Sequence, residues 1–180
     1  MRVIAGKYRG RSLKGPKHEG VRPTADRIKE TLFNILGARI QGAAFLDLFA
    51  GAGGIGIEAI SRGAANVVFA DQSFLSVKLV YQNLKIIEPD EQVRVIHLSF
   101  DRTIDLLAKE NIQFDLIFLD PPFEGGILTQ AIQKILDKSL LKANGIIIAE
   151  HPRKFIINVP ELDGEMRNYG DICLTFFNKR

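Results

Sequence analysis

The sequence predicts an α/β fold built on a doubly wound parallel sheet, and three observations predict it. Apolar runs alternate with helix-period segments through the middle of the chain, joined by short connections. The first strand-to-helix connection is rich in glycine: Asp47-Leu48-Phe49-Ala50-Gly51-Ala52-Gly53-Gly54-Ile55-Gly56. The run Phe114-Asp115-Leu116-Ile117-Phe118-Leu119 has the near-continuous apolar character of a strand buried on both faces.

The elements follow in order. Alternation in Arg2-Val3-Ile4-Ala5-Gly6-Lys7-Tyr8-Arg9-Gly10 favours a short N-terminal hairpin. Pro23-Thr24 marks a helix start, after which Ile28, Leu32, Ile35 and Leu36 fall on one helical face. Beyond Gly37 and Gly42, Phe45–Phe49 reads as the first strand of the sheet and Ile55–Ser61 as its helix. Asn66–Ala70 and Ser73–Ile86 form the next pair, then Val93–Leu98 and Thr103–Lys109. Phe114–Leu119 is the fourth strand, Leu128–Lys138 its helix, and Gly145–Ala149 the fifth strand. From Arg153 onward the helical pattern fades, and Asp171–Phe177 reads as a closing, antiparallel strand.

Composition limits the class of protein. A chain of 180 residues with 46% hydrophobic residues is one globular domain with a sizeable core. Cys173 is the only cysteine, which excludes an intrachain disulfide and suits a reducing cytosol. His18, His97 and His151 lack ligand-like spacing, so no metal site is expected. No apolar run approaches the roughly 20 residues needed to cross a bilayer. The expectation is a soluble, cytoplasmic protein with no membrane partner.

Charge is distributed unevenly. Residues 1–24 carry a net charge of +6 and the remaining residues −3. A basic N-terminal arm, residues 1–22, on a slightly acidic body, residues 23–180, suggests that one region contacts a polyanion. Tyr8 in this arm has the chemistry to stack on a base. A solvated tail is the plainer alternative.

The glycine connection and the acidic end of the second strand belong together. Gly51, Gly53 and Gly56 have the spacing G-x-G-x-x-G, and Asp71 lies 20 residues beyond Gly51. Such a turn brings backbone close to a nucleotide, and a carboxylate at that distance accepts ribose hydroxyls. The spacing alone fits NAD or S-adenosylmethionine. Asp47 favours the second, because a carboxylate just before the turn suits a cationic amino group and not a pyrophosphate.

The fourth strand ends in Asp120-Pro121-Pro122-Phe123. In open α/β sheets ligands bind at that edge. Two prolines stiffen the turn and remove two backbone donors, leaving carbonyls to accept. An acid, an acceptor-rich turn and an aromatic ring together suit a planar substrate with an amino group. An ordinary strand-ending turn is the competing reading. Glu150-His151, at the end of the fifth strand, reads as a polar strand end and not as a catalytic pair.

Asp47-x-Phe49-x-Gly51-x-Gly53 together with Asp120-Pro121-Pro122-Phe123 resembles class I S-adenosylmethionine-dependent methyltransferases acting on exocyclic amino groups. The opening Met1-Arg2-Val3-Ile4-Ala5-Gly6-Lys7-Tyr8-Arg9-Gly10-Arg11 is similar to that of the bacterial RsmD family. So are Val21-Arg22-Pro23-Thr24-Ala25-Asp26-Arg27, Glu30-Thr31-Leu32-Phe33-Asn34 and Ser61-Arg62-Gly63-Ala64. The resemblance implies a Rossmann-like class I methyltransferase fold. That fold has a mostly parallel, seven-stranded sheet with helices on both faces, here with a short basic N-terminal hairpin added. It implies methyl transfer from S-adenosylmethionine, yielding S-adenosylhomocysteine, to N2 of a guanine in 16S ribosomal RNA. The partner is then ribosomal RNA, within a small ribosomal subunit or an assembly intermediate, and no metal is called for.

Carried over residue by residue, the resemblance gives Asp47, Phe49, Gly51, Gly53, Gly56, Asp71, Ser99 and Phe100 to the cofactor. Asp71 stands where the family usually has Glu, and Ser99 or Asp101 where related enzymes hold the adenine. Asp120, Pro121, Pro122 and Phe123 would hold and stack on the target base. Arg2, Lys7, Arg9, Arg11, Lys14, Arg22, Thr24 and Arg27 would contact RNA. A DNA adenine-N6 methyltransferase shares the Pro-Pro-aromatic logic, and a non-catalytic RNA-binding protein could retain the fold. Both alternatives stay open on the sequence, with an NAD oxidoreductase behind them.

Overall fold

A computed structural model describes residues 1–16, 23–122, 126–155 and 157–180. Helix α1 (Pro23–Leu36) leads into a 3-10 turn (Gly37–Ile40) and then into the sheet. Three β-α pairs follow: β1 (Ala44–Asp47) with α2 (Gly54–Ser61), β2 (Asn66–Asp71) with α3 (Phe74–Ile87), and β3 (Gln92–His97) with α4 (Phe100–Lys109). Then come β4 (Phe114–Leu119), α5 (Ile127–Asp137), β5 (Leu141–Pro152), β6 (Leu162–Tyr169) and β7 (Ile172–Lys179).

The seven strands run in the order β3-β2-β1-β4-β5-β7-β6. The first five are parallel and β7 is antiparallel to both its neighbours. The direction of winding reverses between β1 and β4, the crevice where open α/β sheets bind ligands. The expected doubly wound sheet is therefore present, and its seventh strand is β6. The sequence reading missed β6 because Leu162 is its one buried residue, and five of the other seven are polar or glycine.

Register explains how the two faces are packed. Phe45 pairs with Leu116 and Phe118 with Ile148, and these side chains meet α1, α2 and α3 through Leu32, Phe33, Ile57, Ile60 and Val80. Leu46, Ile117, Ile147 and Ala149 point the other way, against Ile104 and Leu107 of α4 and Ile132 and Ile135 of α5. The helix phase predicted for α1 holds, since Ile28, Leu32 and Leu36 are all buried.

The N-terminal residues fold back on themselves before reaching α1. Leu13 N donates to Met1 O and Val3 N to Arg11 O, and Arg2 bridges Ser12 in antiparallel fashion. The hairpin reading is thus correct. Val3, Tyr8 and Leu13 are buried with the α1–α3 core, however, so this segment packs as part of the domain. Burying an aliphatic side chain contributes about 1.5–3 kcal/mol. Tyr8 is only 8% exposed and its hydroxyl donates to Glu91, which corrects the expectation that its ring awaits a base. Among the described residues no helix is long and apolar enough to cross a membrane.

Candidate functional site

The carboxyl ends of β1, β2, β4 and β5 bring four acids to one edge of the sheet. Asp47 ends β1, Asp71 ends β2, Asp120 follows β4, and Glu150 lies near the end of β5. Strand parity puts them on one face: Asp47 and Asp71 are two residues past Phe45 and Phe69, and Asp120 and Glu150 two past Phe118 and Ile148.

Two of these acids shape the glycine turn. Asp47 Oδ2 accepts from Gly56 N at 2.9 Å, so it satisfies an orphan amide in the first turn of α2 and sits at the positive end of that helix. Asp71 Oδ2 accepts from Gly51 N at 2.9 Å, and its Oδ1 from Ser73 N at 2.8 Å. Gly53 takes φ +80, a left-handed conformation that side-chain-bearing residues rarely adopt. At Gly56 an added Cβ would meet the Phe69 ring at 2.2 Å, so a glycine is what lets α2 lie this close to the sheet. By contrast, nothing stands within 4 Å of the Cβ position of Gly51, whose outer side is open.

The electrostatics favour a cation. Burial pushes the Asp47 carboxyl up to about 7, the Gly56 amide opposes this, and the charges of Asp120 and Asp71 add to it. Burial and the charge of Asp120 push Glu150 up to about 8. A buried patch of mutually repelling carboxylates gains free energy from a positively charged ligand and would lose it to a phosphate. The donor set therefore fits S-adenosylmethionine, which carries a sulfonium and an ammonium, better than a dinucleotide.

The expected cofactor residues converge on this edge. Phe49 follows β1, Phe100 opens α4, and their rings meet with centroids 5.7 Å apart. Ser99 precedes α4 with no side-chain capping bond. Asp101 bonds to Lys134 of α5 instead. Pro121 is buried and Pro122 exposed. Phe123 and Arg22 lie outside the described residues, as does the side chain of Thr24.

Glu150 was not assigned to the site from sequence; the signal was its position one residue after the Leu119–Ala149 pair, opposite Asp120. His151 faces away from it. Its Nδ1 bonds to Pro152 O, which only accepts, so Nε2 takes a hydrogen bond from the Thr175 hydroxyl at 2.8 Å. Both ring nitrogens are engaged, and the imidazole is structural. Among the described residues no group of three or more His, Cys, Asp or Glu side chains is arranged to hold a metal.

The cations expected to meet RNA differ in their surroundings. Arg2 pairs with Asp26 at 3.3 Å, and Lys7 with Asp90 and Glu91 at 2.8 and 3.3 Å. Arg9, Arg11, Lys14 and Arg27 are exposed and make no ion pair with the described residues.

Comparison with known proteins adds an independent line. The family model described as conserved hypothetical protein 95 matches residues 1–178. The ribosomal RNA small subunit methyltransferase D of Haemophilus influenzae is 40% identical over 164 residues, covering 89% of this chain and 83% of that protein. The solved structure of yhhF from Escherichia coli aligns with a TM-score of 0.87 at 31% identity, covering 100% of this chain and 98% of that one. The Thermus thermophilus 16S rRNA N2 methyltransferase RsmC, solved with AdoMet and guanosine, has a TM-score of 0.70. At 22% identity, over 91% of this chain and 45% of that one, it shares the fold.

Proposed function

We propose a function from one premise: the chain belongs to the conserved hypothetical protein 95 family, the family of ribosomal RNA small subunit methyltransferase D. It is an S-adenosylmethionine-dependent rRNA methyltransferase. The finer assignment is methyl transfer to the exocyclic N2 of one guanine in 16S rRNA, carried on a small ribosomal subunit or its precursor in the cytoplasm. The observation that carries this reading is the placement of Asp120 next to the glycine turn, across the β1–β4 switch point from Asp47.

The cofactor supplies a methyl group activated by a positive sulfur. Asp71 is positioned to accept the ribose hydroxyls with the lone pairs its backbone bonds leave over. Asp47, Asp71 and Asp120 offset the positive charge, and Phe49, Ser99 and Phe100 border the adenine side. Asp120 and the Pro121 carbonyl accept hydrogen bonds from the guanine amino group, and Phe123 stacks on the ring. An exocyclic amine is a poor nucleophile because its lone pair is delocalised into the ring. Acceptors out of the base plane favour a pyramidal nitrogen whose lone pair points at the methyl. Positioning supplies much of the rate, since effective molarities for well-oriented groups reach about 10⁵ M or more. The base reaches such a pocket only when unpaired or flipped. Arg9, Arg11 and Lys14 contact phosphates and orient the RNA without reading its sequence.

The test uses labelled S-adenosylmethionine with small subunits lacking the modification, naked rRNA and unmethylated DNA. Label is expected in rRNA as N2-methylguanine and absent with Asp120→Ala. Label found only in DNA adenine would overturn the assignment.

A further inference from the structure

Guanine presents three groups in a row: the N2 amino group, N1–H and O6. Asp120 and Pro121, in the reading above, take only the first. The structure places a second carboxyl beside them. Leu119 of β4 pairs with Ala149 of β5, so Asp120 and Glu150 are the next neighbours in a parallel register. Parallel neighbours share a face, with their strands about 4.8 Å apart. Glu150 is half-buried and makes no hydrogen bond or ion pair with the described residues. On its other side β7 offers only Leu174. A polar group held at the site edge without a partner costs free energy unless a ligand supplies one.

We propose that Glu150 reads the remainder of the target base, accepting N1–H of guanine beside the amino group held by Asp120, and so selects guanine over adenine. This rests on the guanine-N2 reading. The groups facing Glu150 are Asp120 from β4 and the apolar Leu174 from β7, while His151 points to the opposite face. With burial and Asp120 holding it up to about 8, Glu150 carries a proton near neutral pH. One carboxyl oxygen then accepts N1–H while the hydroxyl donates to O6, two bonds matching two adjacent groups. Adenine, with its amino group in the same place, offers a bare N1 followed by a C–H. At most one of the two bonds then forms, and a site polar group is left unpaired.

The experiment compares the full chain on two rRNA substrates that differ only at the target nucleotide, guanine or 2-aminopurine. The second keeps the 2-amino group but lacks N1–H and O6. Wild type is expected to favour guanine by roughly ten- to a hundredfold in kcat/KM, the factor that one or two such hydrogen bonds confer. Glu150→Ala should lose most of that preference by slowing on guanine far more than on 2-aminopurine. Glu150→Gln keeps an acceptor and a donor in place and should retain the preference. Binding of S-adenosylhomocysteine, equal in all three proteins, reports that the fold is intact. An active Glu150→Ala with the wild-type ratio, or with equal losses on both RNAs, overturns this inference alone. Failure of wild type to label either RNA overturns the guanine-N2 reading and this inference with it.

Discussion

Gly6 lies directly against Ser61: a Cβ at residue 6 would sit 1.8 Å from the Ser61 carbonyl oxygen. That same carbonyl accepts the Lys7 amide at 2.7 Å, and the Ser61 hydroxyl accepts from Tyr8 N and donates to Ala5 O. Ser61 ends α2, and the first turn of α2 is held by Asp47 through Gly56 N. One short helix thus joins the basic hairpin at one end to the glycine turn at the other. The hairpin cations stand in a fixed relation to the site, which a tethered tail would not provide.

Gly6→Ala tests that relation. Residue 6 has φ +83, so the new side chain meets backbone strain as well as the Ser61 carbonyl. Strain and overpacking each cost about 1–3 kcal/mol, so a loss of about 2 kcal/mol or more is expected in urea unfolding. RNA affinity should fall with it while S-adenosylhomocysteine binding persists. An unfolding midpoint equal to wild type would contradict the close contact.

Glu58 is the second fastening. Its carboxylate, wholly buried, accepts from Ile4 N at 2.8 Å, Ala5 N at 3.0 Å and Arg62 Nε at 2.8 Å, with Lys29 Nζ 3.4 Å away. Burial pushes the Lys29 ammonium down, and the Glu58 charge opposes that. Removing the acid leaves the Lys29 ammonium, which still donates to Arg2 O at 2.6 Å, buried without its counter-charge, and leaves the Ile4 and Ala5 amides without an acceptor. Glu58→Ala should therefore cost about 3–5 kcal/mol by chemical denaturation. Replacing Lys29 and Glu58 together by Met and Leu should cost less than the two single changes summed.

What the sequence disclosed follows from what leaves a periodic trace. β4 is legible to the residue because Phe114–Leu119 is apolar at every position but Asp115, and α3 because Ser73 caps it, accepting from Ser76 N. The glycine turn and Asp71 are legible because their spacing is local. Glu58 was not singled out: it stands in a helix where every residue from Gly56 to Ser61 is buried, and the hairpin amides it holds, Ile4 N and Ala5 N, lie more than fifty positions away. Glu150 is similar, since only the β4–β5 register reveals that it adjoins Asp120. Charge counting treated Lys7 and Arg11 alike, but Asp90 and Glu91 hold one and not the other.

That difference predicts which cations matter for RNA. Deleting the hairpin would remove Val3, Tyr8 and Leu13 from the core and confuse stability with binding. The triple substitution of Arg9, Arg11 and Lys14 by Ala touches only exposed side chains. It should weaken rRNA binding across sequences and flatten the slope of log K against log salt by about 2, the share of three phosphate contacts to single-stranded RNA. Lys7→Ala should leave the slope nearly unchanged. Equal effects from the two would show that the Lys7 pairs dissolve on binding.

The pH dependence of stability gives the last test. Asp47 titrates at about 7 against an ordinary 3.8, so the folded chain holds this proton more tightly than the unfolded chain does. The stability contributed by Asp47 is then fully present below 3.8, is lost as pH rises toward 7, and changes no further above it. Glu150 acts in the same direction up to about 8. Asp47→Asn keeps an acceptor for Gly56 N and removes the charge, so it should melt above wild type at pH 8 and alongside it at pH 4. A cationic ligand relieves the same repulsion and drives protons off. S-adenosylmethionine should therefore release more protons at pH 7 than S-adenosylhomocysteine, which lacks the sulfonium charge. Calorimetry in two buffers of different ionisation enthalpy measures this directly. Equal release by both ligands would mean that the acids at the β1–β4 crevice do not respond to the sulfonium charge.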